Sequence, residues 1–196
     1  VDEPTAAAMG AGLPAGSKLL VIDIGGSTTD FALVALEGGE GRADPIAQLM
    51  RFDGEDIQGK SKQTLRCAKV LGKAGQRIGG RDIDRWIVNH LCPEETVTEN
   101  LLNAAERLKC ELSNKTNRPL DVLIETSEAP SGEEVYYLRL CKEKLEEILI
   151  ERGFIDSLNL LMEKTLSRAS ANGCSLEDLR GVVVVGGGAR IPLVKS

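Results

Sequence analysis

"SKLLVIDIGGSTTDFALVALEGG", residues 17–39, sets two apolar runs around a short tip made of glycine and hydroxyl residues. Leu19–Ile24 and Thr29–Leu36 are rich in branched side chains and bounded by glycine, which predicts two strands. Only Gly25, Gly26, Ser27 and Thr28 separate them. So short a link leaves no room for a crossover helix and forces an antiparallel hairpin. Asp23 and Asp30 flank the tip, one on each strand.

Outward from the hairpin, the alanine run in "VDEPTAAAMGAGL" at the start reads as a helix. Residues 37–65 are polar and glycine-bearing, a long excursion, and Cys67–Leu71 is placed as a third strand of the same sheet. "GGRDIDRWIVNHL", residues 79–91, offers Asp82 as a helix cap and Ile83, Trp86, Ile87 and Leu91 as one apolar stripe. A second helical pattern runs from about Glu95 to Leu112, with Leu101, Leu102, Ala105, Leu108 and Leu112 at helical spacing. "LDVLIE" and "VYYLRL" read as a strand pair joined by "TSEAPSGE". Cys141–Arg152, capped by Gly153, and Phe154–Ala171, ended by Asn172-Gly173, read as two further helices. The four valines 182–185 suggest a strand buried on both faces, and they open onto Gly186-Gly187-Gly188. Pro192 suits the first turn of a last helix. There is no internal repeat. Both ends read as cut from a longer protein.

Composition narrows the function. The 196 residues are 42% hydrophobic and 28% charged, an ordinary globular balance. A net charge of −6 argues against a general nucleic-acid or acidic-membrane binder, whose partners need a basic face. No apolar run is long enough to cross a bilayer, and no signal pattern opens the chain. Five scattered cysteines without a CxxC pair predict reduced thiols and a cytoplasmic setting. His90 is the single histidine, so histidine zinc sites and Ser-His-Asp triads are set aside.

The two glycine loops carry the chemistry. Each follows an apolar strand, and glycine lets backbone N–H groups converge on an anion with no Cβ in the way. Neither is a Walker A loop, and neither is a GxGxxG opening a helix inside a βαβ unit. Thr28 and Thr29 offer hydroxyls to phosphate oxygens, and Asp23 and Asp30 suit a hydrated Mg²⁺. The plainer alternative is a hairpin turn whose Asp and Thr satisfy local backbone groups. The second loop weighs toward phosphate.

"DIGGSTTDFALV" resembles the second phosphate loop of the actin-like ATPase fold, in the form used by DnaK-type heat-shock chaperones of the 70-kDa class. That family has "EPTAAA" before it, as in residues 3–8, and "GGEDFD" and "NH" after it, matched by "GGRDIDRWIVNH" at 79–90. Its "CERAKRTLS" is matched by "AERLKCELS" at 105–113, and its "VLVGGSTRIP" by "VVVGGGARIP" at 183–192. Five motifs in order cover nearly the whole chain except 37–65.

The resemblance implies an α/β, ribonuclease-H-like lobe, with a mixed sheet flanked by helices and a small inserted α+β sublobe. Residues 1–78 and 149–196 would form the core lobe and 79–148 the inserted sublobe. It implies ATP/ADP and Mg²⁺ as ligands. Glu3, Asp23 and Thr28 match catalytic positions near the metal and attacking water, in the full two-lobe protein. Gly25, Gly26, Ser27 and Thr28 match the β/γ-phosphate loop, with Asp23 and Asp30 holding Mg²⁺ through water. Gly79 and Gly80 match the hinge turn between sublobes. Glu106, Lys109, Cys110 and Ser113 match the helix that holds ribose and adenine, a spacing that puts them on one face. Taken without the family, a Glu and a Lys so spaced read as surface decoration. Gly186, Gly187 and Arg190 match the loop along the nucleotide.

The departures are specific. Cys110 stands where the family has an adenine-stacking arginine, removing a cation–π contact of about 0.5–2 kcal/mol. Ser27 replaces a third glycine, Arg81 an acid, and Gly188-Ala189 a Ser-Thr pair. The segment between His90 and Glu106 is shorter than in the family, and the excursion is extra. The resemblance also implies that a first lobe and a substrate-binding domain complete the parent, with co-chaperones and a nucleotide exchange factor as partners. In-line phosphoryl transfer needs charge stabilisation from both lobes. Negligible ATPase activity and weak ADP binding are therefore expected of this chain alone. The alternatives are a lobe of another actin-like kinase or ATPase, against which "EPTAAA" and "GGRDID" speak, and a non-hydrolysing regulatory module, which Cys110, Ser27 and Arg81 favour.

Overall fold

The structure is a computed structural model that describes residues 3–11, 13–38, 66–113, 120–126, 134–195. The excursion, apart from its first two residues, and the turn expected between the strands of the small pair lie outside them. The hairpin forms as expected: β1 (Lys18–Ile24) and β2 (Thr29–Gly38) pair antiparallel, with Asp23 opposite Asp30. β3 (Arg66–Gln76) extends the expected third strand and pairs antiparallel with β2. β6 (Leu179–Val185) runs parallel to β1, so the sheet is mixed, in the order β3-β2-β1-β6.

The pleat sends alternate residues to opposite faces. On one face α1 (Glu3–Gly10) packs Ala8 against Leu19, Val21, Ala32 and Val34. On the other, α5 (Phe154–Ser170) sets Leu161 against Phe31 and Ala74, and Ala169 against Leu33 and Leu71. Register slips between Leu33 and Val34, so Leu71 bulges from the ladder. Asn172 Nδ2 donates to the Leu71 carbonyl at 2.7 Å, and the Arg168 guanidinium donates to that of Lys73. Gly72 gives α5 room, because a Cβ there would collide with the Thr165 carbonyl and the Ala169 amide.

Between β3 and β6 the chain builds a second body. It holds α2 (Gly80–Leu91), α3 (Glu99–Ser113), a two-stranded antiparallel sheet of β4 (Leu120–Thr126) and β5 (Glu134–Leu140), and α4 (Lys142–Glu151). Its core gathers Ile83, Ile87, Leu108, Leu140, Leu145 and Ile148, and reaches the sheet through Ile24 and α5 through Phe154. Trp86 meets Phe154 edge-on at 6.3 Å. Gly153 takes φ +68 between α4 and α5, the left-handed conformation that ends a helix. α6 (Pro192–Lys195) begins at the expected proline.

Three expectations are corrected. The valine strand is not buried on both faces: Val182 and Val184 are 55% and 41% exposed, because no described element covers that side of β6. Asp82 caps α2 from its third residue rather than from before it: the Gly79 N–H donates to Asp82 Oδ2 at 2.9 Å. The helix expected from Glu95 starts at Glu99, where Thr98 Oγ1 accepts the Leu101 N–H at 3.3 Å.

Candidate functional site

The tip of the β1–β2 hairpin closes on itself, with the Gly25 N–H donating to the Thr28 carbonyl at 2.8 Å. It then docks on the start of α2: the Gly80 N–H donates to Gly25 O at 2.9 Å and the Arg81 N–H to Gly26 O at 2.8 Å. Thr29 is fully buried and gives its hydroxyl to Ile78 O at 2.7 Å, so it is not free for phosphate as the sequence suggested. Gly79 is also committed to packing. A Cβ there would meet Ser27 N, Gly26 C and Gly25 O at 2.6–2.8 Å.

The second loop rests against the same hairpin. Gly186 has φ +83, and a Cβ on it would overlap Ile24 O and come within 2.7 Å of Asp23 Oδ1, so this backbone route requires glycine. Gly188 is similarly close to Ile24. Gly26 and Gly187 differ: nothing lies within 4 Å of a Cβ at either. Packing does not explain their missing side chains, but both border the cavity, which their side chains would narrow.

That cavity, of about 430 Å³, lies among the hairpin tip, the start of α2, one face of α3 and the Gly186–Ile191 loop. Its size is that of a small-molecule site. Gly25, Gly26, Gly80, Glu106, Lys109, Cys110, Ser113, Gly186, Gly187 and Arg190 border it, all sequence candidates. Ser27 and Thr28 are exposed on the tip but do not border it, and Gly79 lies beneath it. Asp23 and Asp30 face each other across β1 and β2 on the side that α1 covers, behind the Gly186 loop. Glu3 opens α1.

The sequence reading missed Asp84 and Ile191, and it noted Arg81 and Gly188 within the motifs without naming them as contact residues. All four border the cavity. Asp84 carries a readable signal: an acid among the buried α2 residues Ile83, Ile87 and Val88. Its Oδ1 sits 2.6 Å from Lys109 Nζ, with both side chains largely buried. This is a close charge contact rather than a well-aligned hydrogen bond. Burial pushes the Asp84 carboxyl above its ordinary value, and Glu106 adds to this; Lys109 and Arg81 pull the other way. Lys109 Nζ also donates to Gly80 O at 2.9 Å, and Ser113 Oγ to Lys109 O at 2.7 Å. Glu106, Cys110 and Arg190 are exposed at the cavity.

Such a cavity has a glycine-lined end and an end lined by polar and charged side chains of α3 and by Arg190. Comparison with known proteins gives the same family as the motifs. The family model described as "Hsp70 protein" matches residues 68–196. A protein named "Chaperone protein DnaK" from Prochlorococcus marinus (strain MIT 9515) is 29% identical over 211 aligned positions, covering the whole chain and 28% of that protein. Proteins of the same name from Nitrosopumilus maritimus (strain SCM1) and Cenarchaeum symbiosum (strain A) are 26% and 29% identical, again over the whole chain and 28% and 27% of their own lengths. The chain thus spans little more than a quarter of these relatives. With a family model matched over well more than half of its residues and low identity to its relatives, this chain belongs to the Hsp70 family as a divergent member.

Proposed function

We propose that this chain is one lobe of a DnaK-like chaperone ATPase domain and supplies one wall of an adenine-nucleotide site. Residues 1–78 and 149–196 act as the core lobe and 79–148 as the inserted sublobe. Gly25, Gly26, Gly186 and Gly187 lie along the phosphates, with Ser27 and Thr28 beside them. Glu106, Lys109, Cys110, Ser113 and Arg190 take the ribose and base. Asp23 and Asp30, opposite one another at the end of the hairpin, would hold a hydrated Mg²⁺, which when bound would offset phosphate charge. Glu3, Asp23 and Thr28 act in catalysis only when a first lobe faces them. The same reading gives the parent a client-binding region, co-chaperones and an exchange factor.

One observation carries this reading: four segments far apart in sequence converge on one cavity, and two of its glycines have no packing reason to be glycine. Titration of ADP·Mg²⁺ into the 196-residue chain by calorimetry tests it. Weak, one-to-one binding is expected, together with no turnover of ATP. Gly187→Val should abolish binding without unfolding the chain, since its side chain enters open space. Unaltered binding in that variant refutes the site, and turnover by the chain alone refutes the half-site.

A further inference from the structure

Lys109 is an unusual wall residue, 8% exposed and tied at its ammonium to two residues of α2, Gly80 and Asp84. An ammonium has three N–H donors. One points at the Gly80 carbonyl and one side of the group is taken by Asp84, which leaves a donor for the cavity that Lys109 borders. Gly80 is the junction: its N–H holds the hairpin tip through Gly25 O while its carbonyl accepts from Lys109. The two ends of the cavity are therefore joined through a single residue.

We propose that Asp84 is a positioning residue of this site: it holds Lys109 Nζ against Gly80, so that the remaining N–H meets the hydroxyls of a bound nucleoside and the hairpin tip is tied to that contact. The inference rests on the nucleotide reading above. Without the Asp84 charge, a buried ammonium has lost its partner, and a long flexible side chain regains water by swinging out through the cavity. It then occupies the nucleoside's place and releases Gly80. A residue that only filled space would leave the chemistry of the two cavity ends indistinguishable.

The test compares ADP, adenosine and inorganic diphosphate, each titrated in Mg²⁺ buffer into the unmutated chain, Asp84→Asn, Lys109→Met and the double variant. Charge-assisted contacts of this kind predict about tenfold weaker ADP and adenosine binding in each single variant, with a smaller loss for diphosphate, which meets only the loosened hairpin tip. The double variant should be no worse than the weaker single. Equal losses for all three ligands, additive losses, or an Asp84→Asn chain that binds adenosine normally overturns the proposal.

Two readouts keep it testable if the variant folds poorly or no nucleotide binds. In the unmutated chain, adenosine affinity should fall as pH drops through the raised Asp84 value, and Lys109→Met should lose that dependence. The charged groups facing Asp84 are Arg81 on its own helix and Lys109 and Glu106 on α3, so Glu106→Gln must retain the profile. By amide hydrogen exchange, Asp84→Asn should lower protection at Gly80 and Arg81 by about tenfold and leave β1 and α5 unchanged. Unchanged protection at Gly80 overturns the positioning role. Failure of the unmutated chain to bind ADP and adenosine overturns only the nucleotide reading.

Discussion

Gly79→Ala tests how the hairpin tip is held. The new methyl would lie 2.6 Å from Ser27 N, 2.7 Å from Gly26 C and 2.8 Å from Gly25 O. All three are backbone atoms, so no side chain can turn aside. The tip is also pinned from within by the Gly25–Thr28 bond and from below by the Thr29 hydroxyl on Ile78 O. Overpacking of this kind costs about 1–3 kcal/mol. If the tip moves off to relieve it, the bonds from Gly80 and Arg81 to Gly25 and Gly26 are lost, at about 0.5–1.5 kcal/mol each. Either way a loss of about 1–3 kcal/mol is expected, which in a chain of this length lowers Tm by about 2–12 °C. Gly26→Ala is the internal control, because its methyl meets nothing within 4 Å. Thermal denaturation of both variants, followed by circular dichroism, decides the matter. A Gly79→Ala melting temperature no lower than that of Gly26→Ala refutes the argument that the tip docks on α2.

Gly72→Ala should destabilise the chain by about 1–3 kcal/mol in urea unfolding, because its methyl collides with the α5 backbone; an unchanged midpoint contradicts the close α5–β3 packing. Val182→Ser should cost under about 0.5 kcal/mol while Leu20→Ala costs about 2–5, although both sit in neighbouring registered positions; equal losses would mean β6 is covered. Burial raises the Asp84 carboxyl, so the folded chain binds that proton more readily than the unfolded chain; this group's contribution is full below pH 3.8 and is lost as pH rises through the raised value. Asp84→Asn/Lys109→Met, which removes both charges, should therefore lack that decline when unfolding free energies are compared from pH 3.5 upward, and a parallel pH profile contradicts it. Of Cys92, Cys110, Cys141 and Cys174, Cys110 should react first with a maleimide and be protected by ADP, since it is exposed, Cys174 is buried, Cys92 and Cys141 are half-buried and burial pushes the Cys92 thiol up; mass spectrometry of the labelled peptides reads this.

The hairpin was legible because chain connectivity allowed one answer: four residues cannot span a crossover. The cavity face of α3 was legible only through the family resemblance: helical spacing puts Glu106, Lys109, Cys110 and Ser113 on one face, but by itself it reads that face as surface decoration. What could not be read depended on partners distant in sequence. Four valines look alike whether or not something covers them, and only the position of β6 at one side of the sheet separates Val182 from Leu20. Thr29 looked like a phosphate donor until Ile78, 49 residues on, took its hydroxyl. Asp82 and Asp84 are two acids in one turn of helix. The first caps α2, and the second joins α3 through an ion pair that nothing within residues 79–91 could announce.

The parallel pairing of β1 with β6 bears on how the chain acquires this site during synthesis. Lys18 and Asp178, which meet at the start of that pairing, are 160 residues apart. Closing so long a loop is slow, and β1, β2 and β3 can pair well before β6 leaves the ribosome. Through that interval the β1 edge stays open to any passing strand, a hazard for a nascent chain. The glycine loop at 186–188 follows β6 directly, so the cavity gains its last wall only when that edge is closed. On the nucleotide reading proposed above, ligand binding would report the end of folding, and a nucleotide present during refolding would select chains that have completed it.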